Sequence, residues 1–145
     1  MHTSDVNIGA YLRTVAKGNK VQGYPPAPLA AGTDYGDPFD VVGAKSCVLT
    51  VSTGAATGTP TTQSTTFSLE SAPPGGSPTW VAVTGTTAEL TADEVSKEVD
   101  FNLTLLPSGH TQVRCKVVTA FTGGSSPKQA ASATVTLGGF STLPV

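Results

Sequence analysis

The chain has 145 residues, the size of a single domain, and a formal net charge of −2 at neutral pH. Charged residues make up 12% of the sequence, about half of the usual share of about 25%, so the chain has no strong basic field with which to hold nucleic acid. Its 16 glycines and 11 prolines leave little room for long helices and favour an all-β domain with many turns.

The first 23 residues carry an apolar pattern that fits either a helix or a strand. Ile8, Tyr11 and Leu12 have the i, i+3, i+4 spacing of a helical stripe, whereas Ile8, Ala10 and Leu12 alternate as in a strand. The period leaves both structures open. The start lacks the basic region and apolar run of a signal peptide, and no stretch reaches the roughly 18 apolar residues of a membrane span.

Residues 24–39 are rich in proline, and we expect them to form an extended tether. Pro25, Pro26 and Pro28 fix backbone angles and lack amide donors, which keeps this segment out of the interior of a sheet. The tether is therefore expected to lie along a surface, either the chain's own or a neighbour's.

From residue 40 onward, short alternating segments with turn residues between them predict about seven strands. The clearest alternation is in residues 97–106, where the residues expected to face inward are Val99, Phe101, Leu103 and Leu105. The side chains predicted to form one buried core are Phe67, Leu69, Val99, Phe101, Leu103, Val113, Cys115, Val117 and Val135. Strands at this spacing predict a single β-sandwich or jelly-roll domain.

The chain is accordingly divided into three parts. Residues 1–39 form an N-terminal arm with its proline-rich tether, residues 40–138 form the β-sandwich domain, and residues 139–145 form a C-terminal tail. Cys47 and Cys115 lie on the apolar faces of predicted strands and are expected to be small, buried, reduced side chains, with a disulfide between facing strands as the alternative.

No motif in the sequence predicts an active site. The only histidines are His2 and His110, and no G-x-S-x-G elbow accompanies them. Asp34, Asp37 and Asp40 come closest to a metal cluster, but their spacing matches no calcium loop. We therefore predict a protein that is not an enzyme and holds neither a metal nor a cofactor.

Trp80 is the single tryptophan, and its T-W-V-A-V context predicts a place in the core or between the sheets. The alternative is a platform on which a sugar stacks. An exposed Trp80 would favour sugar binding, and a buried one would favour a structural role.

The order of motifs between residues 61 and 138 resembles that of small head proteins of tailed bacteriophages. In that pattern a tip ends in S/T-x-W-x-x-V-x-G, and a strand V-R-x-x-V, a turn G-S/T-S-P and a final strand V-x-L-G follow it. The matching residues are Trp80, Val83, Gly85, Val113, Arg114, Val117, Ser125, Ser126, Pro127, Val135, Leu137 and Gly138, and Thr79 stands directly before Trp80, one position later than in the pattern. The earlier YGDPFDVVGAKSCVLTV is similar to the start of such domains.

The resemblance implies a capsid cement, or decoration, protein. Such a protein is made in the host bacterial cytoplasm, binds the outer surface of the phage head and joins neighbouring major capsid subunits. The implied partners are the major capsid protein and sister copies in a dimer or trimer, with no nucleic acid and no membrane. The alternative function is an immunoglobulin-like or carbohydrate-binding adhesion module of a phage tail or cell surface.

Apolar residues that precede the strand series are the predicted contacts with a capsid subunit or a sister copy. They gain from burial at roughly 25 cal/mol per Å², and the prolines keep them from the chain's own sheet interior. The predicted contact residues are Ile8, Tyr11, Leu12, Tyr24, Pro25, Pro26, Leu29 and Tyr35.

Overall fold

The computed structural model describes residues 12–14, 16–17, 20–21 and 24–140, with side chains from residue 27 onward. Two antiparallel sheets pack face to face, so the predicted β-sandwich is confirmed. No helix in this part of the chain is long and apolar enough to cross a membrane.

Thirteen strands make up the described secondary structure, together with a 3-10 turn at Leu103–Leu105. The strands are β1 (Leu12–Thr14), β2 (Ala16–Lys17), β3 (Lys20–Val21), β4 (Tyr24–Leu29), β5 (Gly32–Tyr35), β6 (Phe39–Asp40), β7 (Ser46–Thr57), β8 (Thr62–Ala72), β9 (Val81–Ala82), β10 (Ala88–Leu90), β11 (Ser96–Asn102), β12 (Gln112–Thr122) and β13 (Lys128–Gly138).

The four long strands β7, β8, β12 and β13 form the centre of the two sheets. In the first sheet β4 and β1 pair with successive parts of β13, β13 pairs with β7, and β7 pairs with β11. In the second sheet β5 and β6 pair with β12, β12 pairs with β8, and β8 pairs with β9 and β10. Most strands at the sheet edges are short, which limits open edges that could pair with other chains.

The connectivity is that of a jelly roll. If β5 and β6 count as one interrupted strand, and β9 and β10 as another, β4 to β13 fill eight positions in two sheets of four. The antiparallel partners are nested: β4 with β13, β5 and β6 with β12, β7 with β11, and β8 with β9 and β10. Every connection between these positions crosses from one sheet to the other, except the hairpin that leaves β8. This nesting of two Greek keys defines the jelly roll.

The core lies between the sheets and follows the predicted alternation. Phe67, Leu49 and Val135 are 0% exposed, and seven of the nine predicted core residues are buried. The other two, Val99 and Phe101, are partly buried and pack against the core from the edge strand β11.

The prediction that Leu105 faces inward is wrong, because Leu105 is 72% exposed. The alternation stops where β11 ends at Asn102, whose side-chain oxygen accepts a hydrogen bond from the Thr104 amide at 3.0 Å. This cap starts the 3-10 turn, in which Leu103 is buried and Leu105 points away from the sheets.

Residues 24–29 of the proline-rich segment form a strand at the edge of the first sheet, so they are not an unpaired tether, although they stay out of a sheet interior as expected. Tyr24–Leu29 pairs with β13, with Pro28 opposite Ala130. Proline is compatible with this place because an edge strand has one side on which amide donors need no partner. Since β5 and β6 also pair with β12, residues 24–40 are hydrogen-bonded into the sandwich on the N-terminal side of the predicted boundary.

The N-terminal segment is strand-like where it is described. Leu12–Thr14 pairs with the end of β13, which favours the strand alternative over the helix at these residues. Ile8 and Tyr11 lie outside the described residues.

The connecting loops gather at the two ends of the sandwich. The Gly58 end consists of residues 30–31, 58–61, 91–95 and 123–127, and the Val42 end consists of residues 41–45, 73–80 and 103–111.

Two loops at the Gly58 end are in close backbone contact. The Ser125 amide donates to the Gly58 carbonyl at 2.9 Å, and a Cβ on Gly58 would lie 2.5 Å from the Ser125 carbonyl oxygen. Gly58 also has a φ of +79°, so both its conformation and its surroundings require glycine.

Candidate contact surfaces

Arg114 projects from β12 onto the outer face of the second sheet, where two aromatic rings enclose it. Its guanidinium carbon lies 3.9 Å from the centroid of the Tyr35 ring and 4.5 Å from that of Trp80. The guanidinium also donates to one carboxylate oxygen of Glu70, at 3.2 Å from Nη2 and 3.3 Å from Nε. The side chains of Arg114 and Glu70 are only 19% and 11% exposed, so the ion pair is largely shielded from water. Arg114, Glu70, Tyr35 and Trp80 are called the Arg114 cluster.

Strand register positions the members of the Arg114 cluster. Arg114 pairs directly with Glu70 on β8, and Tyr35 on β5 lies opposite Lys116, one residue pair further along the same face. Trp80 enters the cluster just before β9 pairs with the end of β8.

The hairpin that carries Trp80 is held by a buried hydroxyl. Thr86 is fully buried, accepts a hydrogen bond from the Leu69 amide at 3.0 Å and donates one to the Val83 carbonyl at 2.7 Å. The hydroxyl therefore ties the segment after β9 back to β8.

Trp80 is not the inter-sheet residue that its sequence context predicts. It is partly buried on the outer surface, with the Arg114 guanidinium over its ring. Since that ring face is occupied, Trp80 lacks one of the two faces on which a sugar could stack.

Exposed large hydrophobic side chains concentrate at or beside the Val42 end. Leu105 is 72% exposed and Val42 62%, both within loops of this end, and Val81, the first residue after the loop 73–80, is 45% exposed. Tyr35, 43% exposed, lies further from this end, opposite Lys116 of β12. Among the described residues only one further large hydrophobic, Val118 at 37%, is comparably exposed, and it lies in the middle of β12.

The Gly58 end is polar and held by internal hydrogen bonds. One Asp93 carboxylate oxygen accepts from the Gln63 side-chain amide at 2.6 Å and from the Ala56 backbone amide at 3.1 Å. These hydrogen bonds lower the pKa of Asp93, and the bond from Gln63 has the larger effect. Because the carboxylate is used to join loops and strands, we assign it a structural role.

The described residues hold no arrangement with obvious reaction chemistry. His110 Nδ1 lies 2.9 Å from Ser71 Oγ, but Ser71 is 0% exposed and cannot meet a substrate. No group of three or more His, Cys, Asp or Glu side chains in this part of the chain could hold a metal ion. Asp34 and Asp40 instead accept hydrogen bonds from the nearby amides of Tyr35 and Val42.

Both cysteines are free and buried, as predicted. Burial, with a smaller contribution from Asp100, raises the pKa of Cys47 to about 11. Burial alone raises the pKa of Cys115 to about 12. Each side chain is therefore a neutral thiol near neutral pH.

The structure separates the predicted contact residues. Tyr35 is exposed and belongs to the Arg114 cluster, whereas Leu29 is 7% exposed and packs in the chain's own core, so it is not available to a partner. The backbones of Leu12 and Tyr24–Pro26 lie in edge strands of the first sheet, and the contacts predicted for them stay predictions.

Sequence reasoning missed the partners of Arg114 and the exposed pair Val42 and Leu105. A signal for Arg114 was present, because its place between inward-facing Val113 and Cys115 puts it on the outer face. No signal identified Trp80 and Tyr35 as its neighbours, since they come from distant parts of the chain.

No protein-family model matches the sequence, and no curated protein matches it. Two solved structures resemble the fold. A chain in a structure of infectious bursal disease virus, strain Gt, matches 87% of this chain with a TM-score of 0.50 and 13% identity. A chain of the Gx strain of that virus matches with the same coverage, TM-score and identity. This chain spans 31% and 32% of those two chains, about a third of their length, and at this identity the likeness concerns the fold alone.

Proposed function

We propose that the chain is a structural protein of a virus particle, and specifically that it binds the outside of a tailed-phage head and cements neighbouring major capsid subunits. The observation that carries the proposal is the nested jelly-roll connectivity of β4 to β13. This architecture recurs in viral capsid domains. The two similar folds also come from structures of a virus particle.

The described surfaces agree with a role in binding rather than in catalysis. They present exposed apolar groups at one end and an aromatic and arginine cluster beside it, which are residue types common at protein interfaces. The order of the motifs between residues 61 and 138 supplies the more specific assignment to the outside of a phage head.

The proposed partners are the major capsid protein and sister copies in a dimer or trimer. Ile8 and Tyr11, which precede β1, remain proposed contact residues of an N-terminal arm. Deleting residues 1–11 leaves every described strand in place, whereas deleting residues 1–38 would remove β1 to β5, of which β1, β4 and β5 belong to the two sheets of the sandwich. The shorter deletion is therefore the sharper test of the arm.

We predict that the chain lacking residues 1–11 folds and binds heads at least about tenfold more weakly than the full chain, because an arm adds contacts to the same attachment. Binding by cosedimentation and melting by circular dichroism give the two readouts. Equal binding by a folded truncated chain would show that the sandwich alone carries attachment.

The cementing role is tested by add-back. Heads assembled without this chain are incubated with purified full-length protein and then heated. We expect the protein to bind at saturation and to raise the temperature at which the heads release DNA. Binding without any gain in resistance would exclude cementing, and absence of binding would exclude the head as the site of action.

The alternative is a carbohydrate-binding adhesion module, because jelly rolls also occur in lectins. Tyr35 is 43% exposed and offers aromatic surface, but Arg114 lies against it and against Trp80. We therefore favour the structural role. Quenching or a spectral shift of the single tryptophan on titration with oligosaccharides would reverse this preference.

A further inference from the structure

We propose that the Val42 end is the face that docks on the capsid shell, and that it fits a largely apolar patch of the major capsid protein. The inference rests on the proposed function, which it extends from a role to a surface. It is carried by the difference between the two ends of the sandwich.

The Val42 end is apolar and carries one lysine. Residues 41–45, 73–80 and 103–111 contain no Asp, Glu or Arg, and their single lysine is Lys45, next to β7. Val42 and Leu105 are more than 60% exposed there, so their burial against a partner gains free energy in proportion to the area removed from water. The Gly58 end contains Asp93 and Glu94 and has no exposed large hydrophobic residue among those described.

The ends of the chain also meet the sandwich at the Val42 end. Leu12, the first residue of β1, pairs with Gly138, and the Gly138 carbonyl accepts a hydrogen bond from the Lys45 amide at 2.9 Å. Residues 1–11 and 139–145 therefore join the fold beside the turn that carries Val42. Eleven extended residues span at most about 35–40 Å, so an arm rooted here could engage the same partner as the loops.

A second copy of the chain is a less favourable partner for the Val42 end than the capsid shell. Four strands about 4.8 Å apart, in two sheets about 10 Å apart, give an end face of roughly 400 Å² once side chains are included. Two such faces bury about 800 Å² in total, which is in the range of crystal-packing contacts and below that of stable dimers. A shell supplies more surface to the loops and the arm together, and it holds many copies.

The partner patch must itself be largely apolar. A cationic group pressed against Val42, Leu105 and the neighbouring proline-rich loop would lose water and meet only the like charge of Lys45 in these loops, and an anionic group would find that single opposite charge.

The test compares two matched double variants in binding to heads assembled without the chain. One carries Val42→Asp and Leu105→Asp, and the control carries Thr59→Asp and Ser126→Asp at the Gly58 end. All four positions are exposed, and the control sites have φ of +49° and +43°, which aspartate adopts more readily than most residues. Both variants add the same charge and should melt within a few degrees of the natural chain.

We expect the Val42 and Leu105 variant to bind heads at least about tenfold more weakly, and the control to change binding by less than about twofold. Equal loss in both variants, or loss only in the control, would overturn the inference. If the natural chain itself fails to bind heads, the proposed function fails and the choice of face falls with it.

Two further measurements on the free proteins test whether something other than the capsid covers the Val42 end. The first is sedimentation equilibrium, which reports the oligomeric state. If the natural chain is a stable oligomer that the Val42 and Leu105 variant disrupts, the end binds a sister copy and the inference is wrong. If removing residues 141–145 increases binding of a hydrophobic dye to the natural chain but not to the variant, the chain's own tail covers the end, which also overturns it.

Discussion

Replacing Phe67 with alanine should remove the centre of the core. Phe67 is 0% exposed, lies in the middle of β8 and pairs with Val117 and Ala88 on its two neighbouring strands. A fully buried phenylalanine removes about 200 Å² from water, and truncation to alanine in a packed core costs about 3–5 kcal/mol.

Phe101→Ala is the matched control for this prediction. Phe101 is only partly buried and lies on the edge strand β11, so its truncation should cost about half as much, roughly 1.5–3 kcal/mol. For a domain of 145 residues, each kcal/mol corresponds to about 3 °C in melting temperature, so Phe67→Ala should melt about 10–15 °C lower than the natural chain.

The assay is urea unfolding of both variants, followed by circular dichroism, with thermal melts as a second measure. A cost below about 1 kcal/mol for Phe67→Ala would mean that this side chain is not enclosed between the sheets. A larger cost for Phe101→Ala than for Phe67→Ala would place the centre of the core at β11 and contradict the described packing.

Three further predictions concern single sites. Arg114→Ala should lower the free energy of unfolding by about 1–3 kcal/mol, because the largely buried Glu70 carboxylate loses its partner, and it should shift the emission of Trp80, because the guanidinium leaves the indole ring. Lys116→Ala is the control. Equal effects of the two substitutions would contradict the Arg114 cluster. Gly58→Ala should destabilise the fold clearly more than Gly109→Ala. Both glycines have a φ near +80°, but only at Gly58 would the new Cβ meet backbone atoms of another loop. Equal losses in the free energy of unfolding would exclude the close loop contact. Cys47 and Cys115 should react with iodoacetamide at pH 8 much more slowly in the native than in the unfolded chain. Rapid labelling of the native chain would contradict the burial of the two thiols. Because folding raises both thiol pKa values, the contribution of the two buried cysteines to stability should be complete below about pH 9 and be lost as pH rises through 11–12.

The long strands could be predicted from the sequence because alternation reports directly which side chains face the core. In β12 the alternation of Val113, Cys115 and Val117 with Arg114 and Lys116 gives the inner and outer faces correctly. The same rule failed at Leu105, where a side-chain cap at Asn102 ends the strand while the apolar residues continue to alternate. Period therefore predicts the face of a residue only as long as the strand lasts.

The pairing of strands and the composition of the surfaces were beyond the sequence pattern. The prolines of residues 24–29 indicated exclusion from a sheet interior, but they did not indicate that this segment pairs with β13 at the other end of the chain. For the same reason the Arg114 cluster could not be anticipated, because Tyr35, Trp80 and Arg114 meet only through the crossing connections of the jelly roll. Contacts between residues far apart in sequence depend on topology, which local patterns do not encode.

Quantitative mass spectrometry of purified virus particles tests the central claim most directly. A protein that cements a capsid occupies repeated lattice positions, so the account predicts this chain in a fixed ratio to the major capsid protein that does not change on further purification. Absence of the chain from the particles, or only a few copies in each particle, would contradict a cementing role.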